Sequence, residues 1–561
     1  MFIEKMTSLK LRLHFSLVLA LSLGVLARPG PARAEEPSQN GNAALNGRIV
    51  DSIVIINRNI YDTSDPEYES FIFRWANRLH RKTRKWVIGN EVLLESGSPY
   101  SSDLADETAR NLRRSLPIYD AWIESDTLSD GRLVVRVITI DQWTLSGGVN
   151  AKREANEISY SFGLTDRNFL GHNQFVSSTY YVEASETNHA RATFADNRLL
   201  GKPLRLEVDY SDDPRSRFTE LVISKPYYSL AQKFAVGFTA RAIGGRRDVP
   251  SNGKIIAQSE YDGDQLNLSG AYRSGSYLQK GSVKLEYKYR SEVTTSRTLL
   301  TDDTLEIELA RRSFPVDSLY HELRLTLGVS NVRFIKRRRI DGFGYTEDFT
   351  LGSSAVAMLS RAFNRDSTVH TSMELVLAQG SSIKPGLLVL SAGARVWYHR
   401  DETIRRRLQF TTHFYNQSLS YLTLAVRAVY TSDWRIMQTN DLVLGGNSGL
   451  RGFGRYFRTG DRRAVLNLEG RVFPDLGFLS VLFGGALFVD LGRTFRAGES
   501  LGWKGYYAAV GAGLRISFER SSRSSLVRCD VAYSAHDGWQ LSISSGQFFK
   551  AARNILALTS R

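Results

Sequence analysis

The sequence predicts an all-β transmembrane barrel of about 16 antiparallel strands, preceded by a small α+β domain of β-α-α-β-β order. Three observations predict it. From about Trp143 to Phe549, short segments alternate apolar and polar residues with period two, the spacing of strands rather than helices. In the last of these segments one face is apolar and the other charged, which suits a strand with lipid outside and water inside. Beyond the N-terminus no stretch offers the long apolar run of a membrane-spanning helix. Composition agrees: 28 Phe and 25 Tyr stand against 13 Pro, a balance that favours a large β structure.

At the N-terminus, Lys5, Lys10 and Arg12 precede the apolar run from Phe15 to Leu26, and Ala32-Arg33-Ala34 offers a small-x-small cleavage site. Residues 1–34 therefore read as a signal peptide, and the mature chain is expected to leave the cytoplasm. Residues 35–47 form a polar stretch without pattern, expected as a disordered linker.

Residues 48–142 read as a small soluble domain. Ile49 to Ile56 has the length of a strand. Ile72, Trp75, Ala76 and Leu79 follow at helical spacing. A second helix starts after Pro99, capped by Ser102 or Asp103, with Leu104, Thr108, Ala109, Leu112 and Leu116 on its buried side and Pro117 as its stop. Tyr119 to Asp126 and Arg132 to Ile140 close the unit as two strands.

Residues 143–549 carry the barrel. Counting back from the C-terminus, residues 539–549, 526–533, 506–518, 479–491 and 464–473 read as the last five strands. Val465, Asn467, Glu469, Arg471 and Phe473 share one face, as do Ala486, Phe488, Asp490 and Gly492. Arg515, Arg528 and Asp530 add charge to the same interior, so a wet lumen is expected rather than the dry core of a β-sandwich. Closure is required because lipid offers no partner to an open strand edge. Residues 550–561 read as a basic tail, a short helix on the same side as the N-terminal domain.

Ahead of the last five strands lies a Gly-rich, charged segment, GGNSGLRGFGRYFRTGDRR, centred on Leu450-Arg451-Gly452-Phe453. A loop of this length inside a compact unit is functional or disordered. Folded into the lumen, it would present Arg451 to Glu469 and Asp490 on the next two strands. A buried Arg–carboxylate pair is costly to desolvate and tends to be kept for a specific arrangement.

These motifs resemble those of the barrel-assembly superfamily of outer-membrane proteins, the BamA-like factors and two-partner secretion transporters. Their lumenal sixth loop carries V/L-R-G-F/Y, matched here by Leu450-Arg451-Gly452-Phe453. A later strand carries F-x-D-x-G, matched by Phe488-Val489-Asp490-Leu491-Gly492. The resemblance implies that Arg451 docks on Asp490, with Glu469 nearby. The N-terminal unit, with Trp86-Val87-Ile88, Gly97-Ser98-Pro99-Tyr100 and Leu112-Arg113-Arg114, is similar to a polypeptide-transport-associated (POTRA) domain, present in one copy where assembly factors carry several. Phe548-Phe549 is similar to the aromatic end by which such barrels are themselves recognised.

The resemblance implies an outer-membrane location with the POTRA-like domain in the periplasm. It implies a role in inserting or exporting other proteins. The expected partners are unfolded outer-membrane or secreted clients, outer-membrane lipid and accessory periplasmic proteins. The alternatives are a dedicated transporter of one secreted partner and a passive structural or pore barrel.

The net charge of +15 admits nucleic acid as a partner, but an exported chain argues against it; anionic head groups and a charged lumen are the expected beneficiaries. The runs Lys336 to Arg339 and Arg405 to Arg407 read as solvated loop and rim charges. The single Cys529, read as lipid-facing, excludes an intrachain disulfide framework. Nine scattered histidines show no H-E-x-x-H or similar spacing, so no metal and no cofactor is expected. Gly498 to Gly502 fits G-x-S-x-G but falls between two strands, where a nucleophile elbow cannot form, so no enzyme activity is expected.

Overall fold

The computed structural model describes residues 40–556, apart from 155–156, 184–186, 252–253, 314–316, 365–367, 400–401, 420, 436–441, 455–456, 475, 497, 501, 503 and 522–525. The signal segment 1–34 and most of the linker lie outside the described residues. The linker's end is not patternless: Asn40–Leu45 forms a 3-10 helix. Leu45 packs beside Val50, Leu94 and Tyr100, and Asn46 accepts a hydrogen bond from the Ser102 amide. One apolar side chain and one amide were enough to seat it.

The first unit is a three-stranded sheet with two of its three helices packed against it. β1 (Val50–Arg58) pairs parallel with β3 (Leu133–Asp141), and β2 (Ile118–Thr127) pairs antiparallel with β3. Between β1 and β2 lie α1 (Phe71–Leu79), a short α2 (Lys85–Gly89) and α3 (Ser102–Ser115). Ser101, rather than Ser102 or Asp103, caps α3 by accepting from the Leu104 amide. Leu112, Leu116, Val137 and Ile118 are buried with Val87 and Ile88 of α2. In α1 the facing differs from expectation: Phe73 is buried, whereas Trp75 and Leu79 are exposed.

The rest of the chain closes into a barrel. Its short early strands are β4 (Leu145–Glu154), β5 (Glu157–Phe169), β6 (Gln174–Val182), β7 (His189–Asp196), β8 (Arg205–Ser211) and β9 (Arg217–Lys225). Longer ones follow: β10 (Phe234–Ser251), β11 (Lys254–Ser274), β12 (Gln279–Leu299), β13 (Ser318–Arg337), β14 (Glu347–Phe363), β15 (Thr368–Ile383), β16 (Gly386–His399), β17 (Glu402–Leu419) and β18 (Leu422–Arg435). β19 (Leu442–Leu444) and β20 (Arg458–Gly460) pair only with each other. The wall resumes with β21 (Arg462–Val472), the two-residue β22 (Gly477–Phe478), β23 (Val481–Phe495), β24 (Tyr507–Phe518), β25 (Val527–Ser534) and β26 (Gly538–Ser545), and β26 closes the ring beside β4.

Leaving out β22, twenty full strands line the barrel among the described residues, not about 16. Class and closure are as expected; the count differs because β4 to β9 are short and joined by tight turns. The loop that carries Arg451 thus joins the fifteenth and sixteenth strands. A helix, α4 (Thr304–Ser313), interrupts the connection between β12 and β13, burying Ala310 against Val249, Ile256 and Ala257.

The two faces of the wall are distinct. Outward residues such as Leu323, Leu327, Val329, Leu487, Leu541 and Ile543 are exposed and apolar. Inward ones include Glu322, Asn467, Glu469, Arg471, Asp490 and Arg515, all buried. That apolar outside and polar inside is what a strand barrel in lipid requires. Cys529 lies outward in β25, on the face of Val527 and Val531. Arg405 is no rim charge: it sits within β17 and grips Asp433 through two hydrogen bonds, at 2.8 and 2.6 Å.

The first unit sits against the turns at the end where the chain enters β4, here called the near end. Glu91 pairs with Arg198 in the β7–β8 turn at 2.6 Å, with both side chains buried. Arg113 donates twice to Asp348 at the start of β14. Glu107 accepts from the Leu230 amide and from Tyr277 in the β11–β12 turn. α3 is therefore buried on two sides, by its own sheet and by the barrel mouth.

The tail also differs from expectation. Positive φ at Gly546 turns the chain off the wall after Ser545, so Phe548 and Phe549 do not end the last strand. They point inward, and residues 550–556 cross the near mouth. Phe549 and Ile555 join a core with Ile340, Phe349, Leu351, Leu387, Val389 and Tyr415. Arg553 pairs with Asp341 and Glu347. Burial pulls the Arg553 pKa down, but the charges of Glu347 and Asp341 outweigh burial and hold it above its ordinary value.

Candidate functional site

The wall from β21 to β25 forms a trough. Its register places Asn467, Asp490, Ala509 and Ser534 in one cross-strand row. Glu469, Phe488, Gly511 and Ala532 form the next row. Side chains are larger on β23 than on β24 and β25, and the space left there is filled from within by the loop between β18 and β21.

Gly511 sets the floor. A Cβ there would lie 2.3 Å from the Phe488 ring, so only glycine lets that ring lie flat. The Arg451 guanidinium stacks on the exposed face of Phe488 at 3.5 Å, and Phe548 of the tail covers it from the other side at 4.2 Å. Arg451 is 4% exposed.

Its charge is met edge-on. Nε donates to Asp490 Oδ2 at 2.7 Å and Nη2 to Asp490 Oδ1 at 3.0 Å, a bidentate fork. The Arg451 amide adds a third bond to Asp490 at 3.1 Å. Nη1 reaches Asp530 at 3.2 Å. Glu469 lies 3.8 Å from Nη1 and accepts its hydrogen bond from Arg515 instead, at 2.7 Å. The structure brings Arg451 onto Asp490, with Glu469 at longer range.

The rest of the motif fixes the backbone. Leu450 is fully buried with Leu444, Val465 and Ala509, and Phe453 joins them. Gly452 adopts φ +79, and a Cβ there would press on Ala509 and Ala532 at 3.2 Å. Ser534 donates to its carbonyl oxygen at 2.8 Å. Gly492 plays the matching part on the wall: a Cβ would sit 2.8 Å from Leu444. A Gly452→Ala variant is expected to weaken loop docking by about 1–2 kcal/mol through the left-handed backbone alone. Faster proteolysis within the loop, with unchanged wall strands, is the measurement that checks this.

Sequence reasoning placed Arg471, Arg515, Arg528 and Asp530 inside but assigned them no role. They extend the pair into a buried network. Arg515 links Glu469 to Asp530 and Gln547. Arg471 binds Asp341 and the Phe549 carbonyl. Arg528 flanks Asp530 at 3.2 Å. The loop from the far end and the tail at the near end thus meet on one set of charges. Their inward facing was legible from period two; Phe548 over Arg451 was not, because it depends on the bend at Gly546. Ser500 lies exposed in the connection between β23 and β24, two strands, not at a strand-to-helix turn.

No family model matches the chain, and no curated protein matches it. The solved structures to which the chain is similar include BamA from Haemophilus ducreyi lacking POTRA domains 1-3, at 13% identity, over 89% of this chain and 84% of that one, with a TM-score of 0.35. They also include CdiB from Acinetobacter baumannii, at 14% identity over 90% and 74% with a TM-score of 0.38, and CdiB from Escherichia coli, at 11% identity over 96% and 97% with a TM-score of 0.44.

Proposed function

We propose that this chain is an outer-membrane protein that assists insertion, assembly or translocation of other proteins, with residues 48–142 as a POTRA-like domain in the periplasm. The observation that carries the reading is Arg451, held at the centre of a charged lumen by Asp490 and stacked on Phe488. A buried charge network is a costly way to fasten a loop. It suits a loop that must occupy one place and be releasable from it.

Three steps follow. The three-stranded sheet, whose edges are β1 and β2, pairs with an extended client through unpaired backbone groups. The client then meets the seam between β26 and β4. There β26 is exposed on both faces from Trp539 to Ser545, unlike its neighbour β25. The client pairs at that edge, or threads the lumen once the loop around Arg451 has moved. A dedicated transporter of one partner would use the same parts for the second route only.

Depletion of the protein, with the outer-membrane proteome and the secretome compared, tests the proposal. Loss of several outer-membrane proteins supports assembly; loss of one exported protein supports the dedicated transporter. An unchanged proteome and secretome would overturn both and leave a passive barrel.

A further inference from the structure

The exposed side of α1 is not that of a soluble domain. Phe71 is 72% exposed, Trp75 62% and Leu79 52%, at i, i+4 and i+8 on one stripe. Arg74 and Arg78 stand beside them on the same side. Arg81, Lys82, Arg84 and Lys85 follow, all exposed, and residues 71–90 contain no acidic side chain. Aromatic and aliphatic groups interleaved with arginines, without a counter-charge, suit the boundary between lipid tails and phosphate head groups. A solvated helix would pair its charges i to i+4 instead.

The position agrees. α1 packs through Phe73 and Ala76 on Tyr61, Tyr68 and Trp143. Tyr61 and Tyr68 in turn bind Glu519 in the β24–β25 turn. A few residues on, the Arg84 amide donates to Gly171 in the β5–β6 turn, and the Trp86 ring meets His172 there. Both turns belong to the near rim, on either side of the β26–β4 seam. That rim carries bare apolar residues at its turns: Phe169 and Leu170, Leu200, and Leu476, Phe478 and Leu479. Turns in water favour polar residues. The apolar outer surface of the barrel thus continues through the rim onto Trp86 and α1.

We propose that the Phe71, Trp75 and Leu79 face of α1 rests in the inner lipid leaflet beside the β26–β4 seam, with its arginines on lipid phosphates. This rests on the outer-membrane reading above. Its consequence is that the first unit is fastened on two sides, to the mouth by α3 and to lipid by α1. A client captured by that unit then arrives at the seam at membrane depth.

The test uses the full chain with Cys529→Ser, reconstituted in vesicles of phosphatidylcholine with and without phosphatidylglycerol. A nitroxide is placed at Trp75→Cys, at Leu79→Cys, at Leu541→Cys on the outer wall and at Asp130→Cys in the exposed β2–β3 turn. Collision with oxygen against a water-soluble nickel chelate reports depth. At positions 75 and 79 the chelate is expected to be excluded as at 541, and more fully when phosphatidylglycerol is present. Chelate access equal to that at 130, with 541 still protected, overturns the inference alone. Access at 541 as well overturns the outer-membrane reading with it. Spin–spin broadening at 75 would show a second copy on this face, and also overturns the inference.

Discussion

An Arg451→Ala variant is expected to keep a closed barrel and to lose client handling. The physical reason is asymmetry. The intact cluster balances its buried charges, and its wall partners cannot leave. Removing the guanidinium leaves Asp490, among the described residues, with Asn467 and a backbone amide as donors, and weakens the neutralisation of Asp530 and Glu469. Breaking a buried pair from one side costs about 3–5 kcal/mol. The wall is held by backbone ladders from β4 around to β26, so the loss falls on the loop. Heat-modifiable gel migration should stay normal while the loop becomes cleavable from the far end. Asp490→Ala should behave alike. Full client handling by both variants would reject the role of the pair.

Ending the chain at Gly546 should have the second largest effect. It removes Phe549 and Ile555 from the core at the near mouth and Arg553 from Asp341 and Glu347. Losing one large aromatic side chain from such a core costs about 3–5 kcal/mol. It also removes Phe548 from Arg451 and the carbonyl partner of Arg471. Single-channel conductance in planar bilayers is expected to rise several-fold, and the loop to become more protease-sensitive. Phe548→Ala alone should reproduce the second effect without the first. Conductance equal to that of the full chain would show that the tail does not obstruct the lumen.

Much of this arrangement was legible in the residues. Period two set the facing of Asn467, Glu469, Phe488 and Asp490, and two short motifs were enough to pair Arg451 with Asp490. What the sequence did not reveal depends on bends and on partners far along the chain. The tail read as a basic segment forming a short helix, because nothing in its pattern says what its apolar residues pack against. Only the left-handed turn at Gly546 brings them against Phe349 and Tyr415. In α3, Glu107, Asn111 and Arg113 stand apart from the buried side expected from Leu104, Thr108, Ala109, Leu112 and Leu116, yet each is buried by a barrel residue more than a hundred positions away. In α1 the apolar spacing was real, but its direction was not encoded in the period. Strand number was misjudged because β4 to β9 and their connections are shorter than the strands β10 to β18 that follow.

A ring of twenty strands encloses more cross-section than its own side chains fill. Here the loop between β18 and β21 packs into that bore from one end, and the tail crosses it at the other, where the first unit also sits. Permeation through it is therefore expected to depend on the displacement of these segments as well as on diameter.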